Sequence, residues 1–177
     1  TDGIQIRVHP ALISSGHLLS RIDGSMNAVL VNSNAAGDTL MAGPGAGELP
    51  TASAVVGDLM RIARRNIRPI NINLSSPARI VAIENIISAY YLRIPSLDRA
   101  GVFAKVATIL SEHGISIEAA IQKEQIKEEN DEKEWVPIVI LTHVVQEKSM
   151  IDAIRKVQDL PEVIGTITRI RVEQLGQ

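Results

Sequence analysis

The sequence predicts an α+β protein in two unequal parts, the second of which is a ferredoxin-like βαββαβ unit. Its 177 residues are enough for one large domain or two small ones. Isoleucine is unevenly distributed, with 25 residues in all and only four before Arg61, which indicates that the two parts are built differently. From Tyr90 onward, strand-like and helix-like periodicities follow in the order strand, helix, strand, strand, helix, strand.

The chain begins with two predicted β elements. Residues 4–8 alternate apolar and polar side chains and predict a strand, which ends at His9-Pro10 because proline cannot donate to a strand ladder. Residues 28–31 and 39–41 flank a stretch rich in asparagine and glycine, residue types that accept left-handed backbone conformations. A β-hairpin with a rather long turn is therefore expected there.

A glycine-rich stretch, Gly43-Pro44-Gly45-Ala46-Gly47, separates this hairpin from a predicted amphipathic helix. Four apolar residues of the helix recur at helical spacing: Val55, Leu59, Ile62 and Ala63. Two interpretations of the stretch remain open, a tight structural turn and a loop whose backbone contacts a phosphate group. It is not a dinucleotide-binding fingerprint, because no acidic residue follows about 20 positions later at the end of a second strand.

Residues 68–88 are predicted to be a linker between a first domain, 1–67, and a second domain, 89–177. Prolines, asparagines and serines interrupt this stretch and leave room for one short strand near residues 79–83.

The second domain has clearer periodicity. Its predicted strands cover residues 90–94, 115–121, 136–145 and 163–172, and its helices cover 102–110 and 150–157. Gly114 follows the first helix, as expected at a helix C-terminus. Residues 123–134 carry three positive and six negative charges and are interpreted as a solvated hairpin tip.

Composition excludes several classes of function. A net charge of −2, a pI of about 6.1 and 2% aromatic residues give no basic patch or stacking platform for nucleic acid. No apolar run approaches the ~20 residues of a membrane span. The absence of cysteine removes disulfides, thiolate metal sites and cysteine nucleophiles, and no histidine pair has metal-ligand spacing. We therefore expect a cytoplasmic protein without a metal site.

The turn Asp98-Arg99-Ala100-Gly101-Val102 stands between a predicted strand and a predicted helix. Asp98 at this position is typical of a residue that caps the helix. The same turn is also suited to an amino acid, because the free N–H groups at the start of the helix can donate to its carboxylate and Gly101 allows close approach. Neither interpretation supplies a general acid and base, so no catalytic residue is predicted in this chain.

Several motifs resemble the closing part of the catalytic region of homoserine dehydrogenases. They are Val8-His9-Pro10-Ala11-Leu12-Ile13, Asn27-Ala28-Val29, and the glycine-rich stretch with the run 50–59. From Tyr91 the chain resembles the ACT domain of bacterial members, with residues 98–102 and 112–118 as hallmarks. The resemblance covers essentially the whole chain and implies the remnant of an α/β substrate and dimerisation domain followed by a βαββαβ ACT domain.

For the first domain, the resemblance implies NAD(P)-dependent interconversion of homoserine and aspartate 4-semialdehyde. In that family the dinucleotide-binding domain and the catalytic residues would precede Thr1, so we expect that Thr1 is where a longer polypeptide was cut and that this chain alone is inactive. Gly47 is implied to contact the nicotinamide cofactor, with Gly45 and Ala46 nearby. His9 would lie near the active-site cleft without an assigned role. Ala42 stands where many relatives have an aromatic residue.

For the ACT domain, the resemblance implies feedback regulation by an amino acid, most plausibly L-threonine, at a site between two paired ACT domains of a homodimer or higher oligomer. Its effector-binding residues would be Asp98, Arg99, Ala100, Gly101, Val102, Ile115, Ser116 and Ile117. An alternative function stays open: a free-standing amino-acid-binding or dimerisation protein with no catalysis. The glycine-rich stretch favours the dehydrogenase, because an isolated ACT protein has no use for it.

Overall fold

The computed structural model describes residues 3–64, 79–122 and 135–175. Contacts divide the chain into one compact unit of Thr1–Leu12 with Ala78–Glu173 and a second of Ile13–Pro77 with Gln174–Gln177. The N-terminal residues therefore associate with the second part of the sequence, whereas the sequence placed them with residues 13–67. The predicted boundaries at 67 and 89 stay predictions.

The elements are, in chain order, β1 (Ala11–Leu12), β2 (Met26–Ser33), β3 (Gly37–Pro44), α1 (Glu48–Ala63), β4 (Ile87–Leu97), α2 (Val102–Glu112), β5 (Ile117–Gln122), β6 (Trp135–Thr142), β7 (Val145–Gln146), α3 (Glu147–Gln158) and β8 (Thr168–Val172). Two short 3-10 turns cover Leu18–Arg21 and Ile83–Asn85.

The first unit confirms the predicted ferredoxin-like fold. Its sheet has the order β8–β4–β6–β5 with antiparallel neighbours. The short strand β1 adds to β8 in parallel and so covers that edge of the sheet. The other edge strand, β5, contains a bulge between Ile117 and Ala119. Helices α2 and α3 connect strands as the βαββαβ order requires.

The core of this unit lies between the sheet and its two helices. Alternate residues of β4 and β6 are buried, as expected where one face of a strand is covered. Each helix buries residues one or two turns apart. The buried cluster from these elements includes Tyr90, Leu92, Ile94, Val102, Val106, Leu110, Ile138, Ile140, Met150, Ala153 and Val157.

Glycine sets both ends of α2. Gly101, at the N-cap position, has a φ of 88°, and Gly114, just after the helix, has a φ of 69°. Both values lie in the left-handed region that favours glycine. The glycine stop is confirmed, while the N-cap position is held by Gly101 rather than by Asp98.

The second unit contains the predicted hairpin and helix. Strands β2 and β3 pair from Met26 opposite Pro44 to Ser33 opposite Gly37, and α1 follows directly. None of the α1 residues is buried, and its side chains Val55, Leu59 and Ile62 are more than half exposed. The apolar stripe that predicted the helix is therefore open to solvent in this chain.

Some predicted elements differ from the structure. Residues 4–8 form no strand, and only Ile4 makes a bridge, to Ile80, which is also all that remains of the strand expected near 79–83. The last strand begins at Thr168 rather than at 163, because the residues before it form a loop bonded to the end of β4. The charged stretch 123–134 lies outside the described residues.

Candidate functional site

The glycine-rich stretch turns the chain from β3 into α1. Gly43 and Pro44 are the last residues of β3, and Gly47 occupies the N-cap position of α1. Gly47 has φ 122° and ψ 157°, a backbone conformation that is essentially restricted to glycine. The turn therefore requires glycine at this position for its geometry alone.

Gly45 is required for a different reason. Its N–H donates to the Ser25 carbonyl at 2.8 Å, which holds the turn against the start of the hairpin. A Cβ at Gly45 would overlap the side chain of Asn27. A shallow, mostly apolar depression of about 270 Å³ lies beside these residues, along the strand ends that carry Ala28, Ala42 and Gly43.

The start of α1 is poorly suited to a phosphate group. Glu48 in its first turn places a carboxylate where an anion would bind, and Pro50 lacks the N–H that other residues present there. Both features disfavour an anion at the start of this helix.

The turn before α2 is exposed, whereas the residues predicted beside it are partly buried. Asp98, Arg99, Ala100 and Gly101 lie at the surface. Val102 and Ile115 are both buried in the core cluster, and Ile117 packs against it.

Burial limits what the predicted effector-binding residues can offer a ligand. Burial leaves Val102 and Ile115 to position the backbone, while Ser116 remains exposed. The structure therefore brings Val102, Ile115 and the partly buried Ile117 together at one core. It leaves the other predicted residues at the surface: Asp98, Arg99, Ala100, Gly101 and Ser116.

Lys105 and Glu162 form an ion pair beside this turn. Lys105 Nζ donates to Glu162 Oε1 at 2.6 Å. The hydrogen bond from Lys105 is the largest influence on Glu162 and lowers the pKa of its carboxyl. Because Lys105 lies in the first turns of α2, the pair connects the helix to the loop before β8.

A buried polar cluster, which sequence reasoning missed, surrounds Glu147 at the start of α3. Glu147 is 1% exposed. Its Oε2 accepts from the Tyr90 hydroxyl at 2.5 Å and from Arg171 Nη2 at 2.6 Å, and its Oε1 lies 2.8 Å from Arg169 Nη1. The guanidinium of Arg169 also lies 5.8 Å from the centre of the Tyr90 ring. This Glu147 cluster joins α3, β4 and β8.

The cluster changes the titration of its members in opposite directions. Burial raises the pKa of Tyr90 to about 12, and its hydrogen bond to Glu147 adds to this. Burial alone would also raise the pKa of Glu147, but the hydrogen bonds from Tyr90 and Arg171 and the charge of Arg169 outweigh it and lower that pKa. Glu147 is therefore ionised and Tyr90 neutral at neutral pH.

This lowered pKa predicts acid sensitivity. Because the carboxyl of Glu147 has a lower pKa folded than unfolded, the unfolded chain binds more protons as the pH falls. The stabilisation is complete above the unfolded pKa and is lost as the pH falls through the folded pKa. Chemical denaturation between pH 7 and pH 3 should show this loss, and Glu147→Gln should flatten the profile. An identical profile for the variant would contradict the prediction.

The sequence contains one sign of this cluster, but it does not identify the partner of the two arginines. Arg169 and Arg171 alternate with apolar residues in β8, so one face of that strand had to bear charge. The partner of those charges, Glu147, lies 24 residues from Arg171 and 57 from Tyr90. Only the folded sheet brings these positions together.

Neither a metal site nor a membrane span is found in the part of the chain that the structure describes. No group of three or more His, Asp or Glu side chains there is placed to hold a metal ion. No helix of that part is long and apolar enough to cross a membrane.

Comparison with known proteins finds two family matches along the chain. The family model described as homoserine dehydrogenase matches residues 2–60, and the model described as ACT domain matches residues 90–162. The homoserine dehydrogenase of Pseudomonas aeruginosa is 47% identical over 99% of this chain, and that of Neisseria gonorrhoeae is 42% identical over 98%. The match spans 42% and 41% of those two relatives, respectively.

A solved structure agrees with these matches. The crystal structure of a homoserine dehydrogenase from Thiobacillus denitrificans superposes with a TM-score of 0.82 at 40% identity, over 99% of this chain and 40% of that one. The chain thus spans about two-fifths of the length of the relatives that it matches. It corresponds to the C-terminal portion of the homoserine dehydrogenases, a dehydrogenase segment followed by an ACT domain.

Proposed function

We propose that this chain is part of an NAD(P)-dependent enzyme that interconverts L-homoserine and L-aspartate 4-semialdehyde in the cytoplasm. The observation that carries the proposal is the match to homoserine dehydrogenases over 99% of the chain. No residue of the chain is given a catalytic role. When bound, the nicotinamide would accept or donate the hydride, and the residues described here would shape one wall of its site.

The glycine-rich turn is the proposed contribution to that wall. Gly45, Ala46 and Gly47 would contact the nicotinamide cofactor through backbone atoms. The glycine-only backbone of Gly47 supports this role, since a residue without a side chain lets a ligand approach the backbone closely. At Gly45 the side chain of Asn27 already fills the space that a Cβ would take, so that glycine serves the packing of the turn. Glu48 and Pro50 disfavour a phosphate at this helix start, whereas the carboxylate of Glu48 is compatible with the positively charged ring of the oxidised cofactor.

Homoserine oxidation should be absent from this chain alone and present in a chimera. In the chimera, the chain replaces the matching segment of the Pseudomonas aeruginosa relative, which is 47% identical. Homoserine-dependent reduction of NAD or NADP, followed at 340 nm, measures both. Turnover by the isolated chain at a rate ordinary for an enzyme would contradict the first expectation. An inactive but folded chimera would contradict the assignment.

The ACT domain is proposed to bind an amino-acid effector, L-threonine, at the turn 98–102 of one copy and residues 115–117 of a neighbouring copy in a homodimer. The left-handed Gly101 at the start of α2 supports this site, because it leaves the helix N-terminus open to a carboxylate. Residues 115–117 lead into β5, which begins at Ile117 and is an edge strand of the sheet among the described residues, so that edge is available to a second copy.

Calorimetry on the whole chain should detect L-threonine binding at protein concentrations that permit dimers. Gly101→Asp should remove most of the heat, because it places a carboxylate where the ligand's carboxylate binds. Gly24→Asp is the matched control, since Gly24 also has a positive φ, 61°, with open space around it, but lies outside the ACT domain. Equal binding by wild type and Gly101→Asp would contradict the site, and no heat from any amino acid would contradict the effector role.

The alternative function, a free-standing regulatory protein, is disfavoured by α1. None of its residues is buried, and its large apolar side chains are 48% to 83% exposed, which is typical of a helix that another part of a protein covers. A regulatory protein that works alone would not carry such a helix.

A further inference from the structure

Residues 3–12 form a strap on the edge of the ACT sheet, and backbone hydrogen bonds hold it at both ends. At one end, Ile4 N–H donates to the Arg79 carbonyl at 2.8 Å, and Val81 N–H donates to the Ile4 carbonyl at 3.0 Å. At the other end, β1 pairs with β8, and Glu173 N–H donates to the Leu12 carbonyl at 2.9 Å. These three N–H groups, of Ile4, Val81 and Glu173, report whether the strap is docked.

Polar contacts hold the middle of the strap. Arg7 Nη1 lies 3.4 Å from Glu173 Oε1, and His9 Nε2 lies 3.8 Å from the same oxygen. The apolar side chains of Ile6 and Val8 point away from the sheet and are 74% and 101% exposed. Because little apolar surface is buried under the strap, its release costs far less than opening the core.

The strand that pairs with the strap, β8, is held in place by a side chain on its inner face. Arg171 of β8 pairs with Ala11 of the strap, and its side chain belongs to the Glu147 cluster. The loop before β8 is tied to the end of β4, because Leu97 N–H donates to the Glu162 carbonyl at 2.8 Å and Ile164 N–H donates to the Pro95 carbonyl at 3.1 Å. A shift of this loop therefore reaches β8 and the strap on it.

The same loop is bonded to the helix that follows the proposed effector turn. Lys105 of α2 donates to Glu162 at 2.6 Å, and Gly101 accepts the backbone bond from Lys105 at 3.0 Å. A carboxylate bound at the start of α2 would compete with Glu162 for the ammonium group of Lys105, since both anions would lie within reach of it.

We propose that the strap is a releasable edge element of the ACT domain, and that amino-acid binding at the turn before α2 loosens it through the Lys105–Glu162 pair. The strap lies within residues 2–60, which match the homoserine dehydrogenase model, and the chain continues from Leu12 into the rest of that segment, so release of the strap passes the effector signal along it. This inference rests on the proposed effector role of the turn. The ligand needs no contact with the strap, only different affinities for the docked and released states.

Hydrogen exchange on the whole chain, with and without L-threonine, tests the proposal at the N–H groups of Ile4, Val81 and Glu173. Arg7→Met should speed their exchange roughly two- to five-fold without ligand, the effect expected from one partly screened ion pair. Lys105→Met touches no strap residue, yet it should speed the same exchange and abolish any further effect of threonine. In wild type, threonine should speed it at least about twofold.

Arg155→Met is the matched control, because Arg155 forms an exposed ion pair with Asp152 that contacts neither the strap nor Glu162. It should leave exchange at the three N–H groups unchanged. Threonine binding by calorimetry without faster exchange in wild type would overturn the coupling and leave the effector role intact. An absence of binding would overturn the effector role itself. If these three N–H groups exchanged at the wild-type rate in Lys105→Met, the proposed coupling through the Lys105–Glu162 pair would be overturned.

Discussion

Replacing Glu147 by alanine is expected to reduce the free energy of unfolding by about 3 kcal/mol or more, the cost of removing one partner from a buried ion pair. Glu147 is 1% exposed and accepts from Tyr90 and Arg171, with Arg169 at 2.8 Å. Its removal would leave two guanidinium groups close together without a counter-charge and a buried hydroxyl without an acceptor. Urea denaturation followed by circular dichroism measures the change.

Two other variants separate the charge from the hydrogen bond. Tyr90→Phe removes one hydrogen bond to the ionised carboxylate and should cost about 2 kcal/mol, less than the loss of the charge itself. Asp152→Ala breaks an exposed pair with Arg155 and should change stability by less than about 0.5 kcal/mol. If Glu147→Ala cost no more than Asp152→Ala, the Glu147 cluster would have no stabilising role.

Gly47→Ala is expected to raise the KM of the chimera for its nicotinamide cofactor by about tenfold or more, because small displacements of positioning groups have effects of this size. At φ 122° a side chain is strained by about 1–3 kcal/mol, and the turn can relieve that strain only by changing its path into α1. Steady-state kinetics with varied NAD or NADP at saturating homoserine measures the change.

Gly43→Ala is the control within the same motif. A Cβ at Gly43 meets no atom within 4 Å, and its backbone needs no left-handed conformation. This variant should keep the wild-type KM and thermal stability. Equal kinetic parameters for Gly47→Ala and Gly43→Ala would remove the glycine-rich turn from the cofactor site.

Local patterns predicted the ACT part of the fold well. The helical spacing of Val102, Val106, Ile109 and Leu110 predicts the helix, and the structure buries all of them except Ile109, which is partly buried. Gly114 ends that helix as expected. Such features depend on residues within one or two turns of each other, which is the range that periodicity and backbone preference describe.

The N-terminal strap shows where periodicity misleads. Alternation over residues 4–8 predicts a strand, but these residues form none, Arg7 is turned toward Glu173 and Val8 is fully exposed. A period of two predicts that side chains alternate, and it does not predict which set faces the protein. Here the polar side chains Arg7 and His9 face the protein, where both lie near the carboxylate of Glu173.

The βαββαβ order of the ACT part, the glycine after its first helix and the family resemblance were contained in the sequence, because each depends on neighbouring residues. The pairing of the strap with β8, the burial of Glu147 among Tyr90, Arg169 and Arg171, and the bond from Lys105 to Glu162 came only from the tertiary structure. These contacts join residues 22 to about 160 positions apart, and side chains so distant meet only where the folded sheet places them.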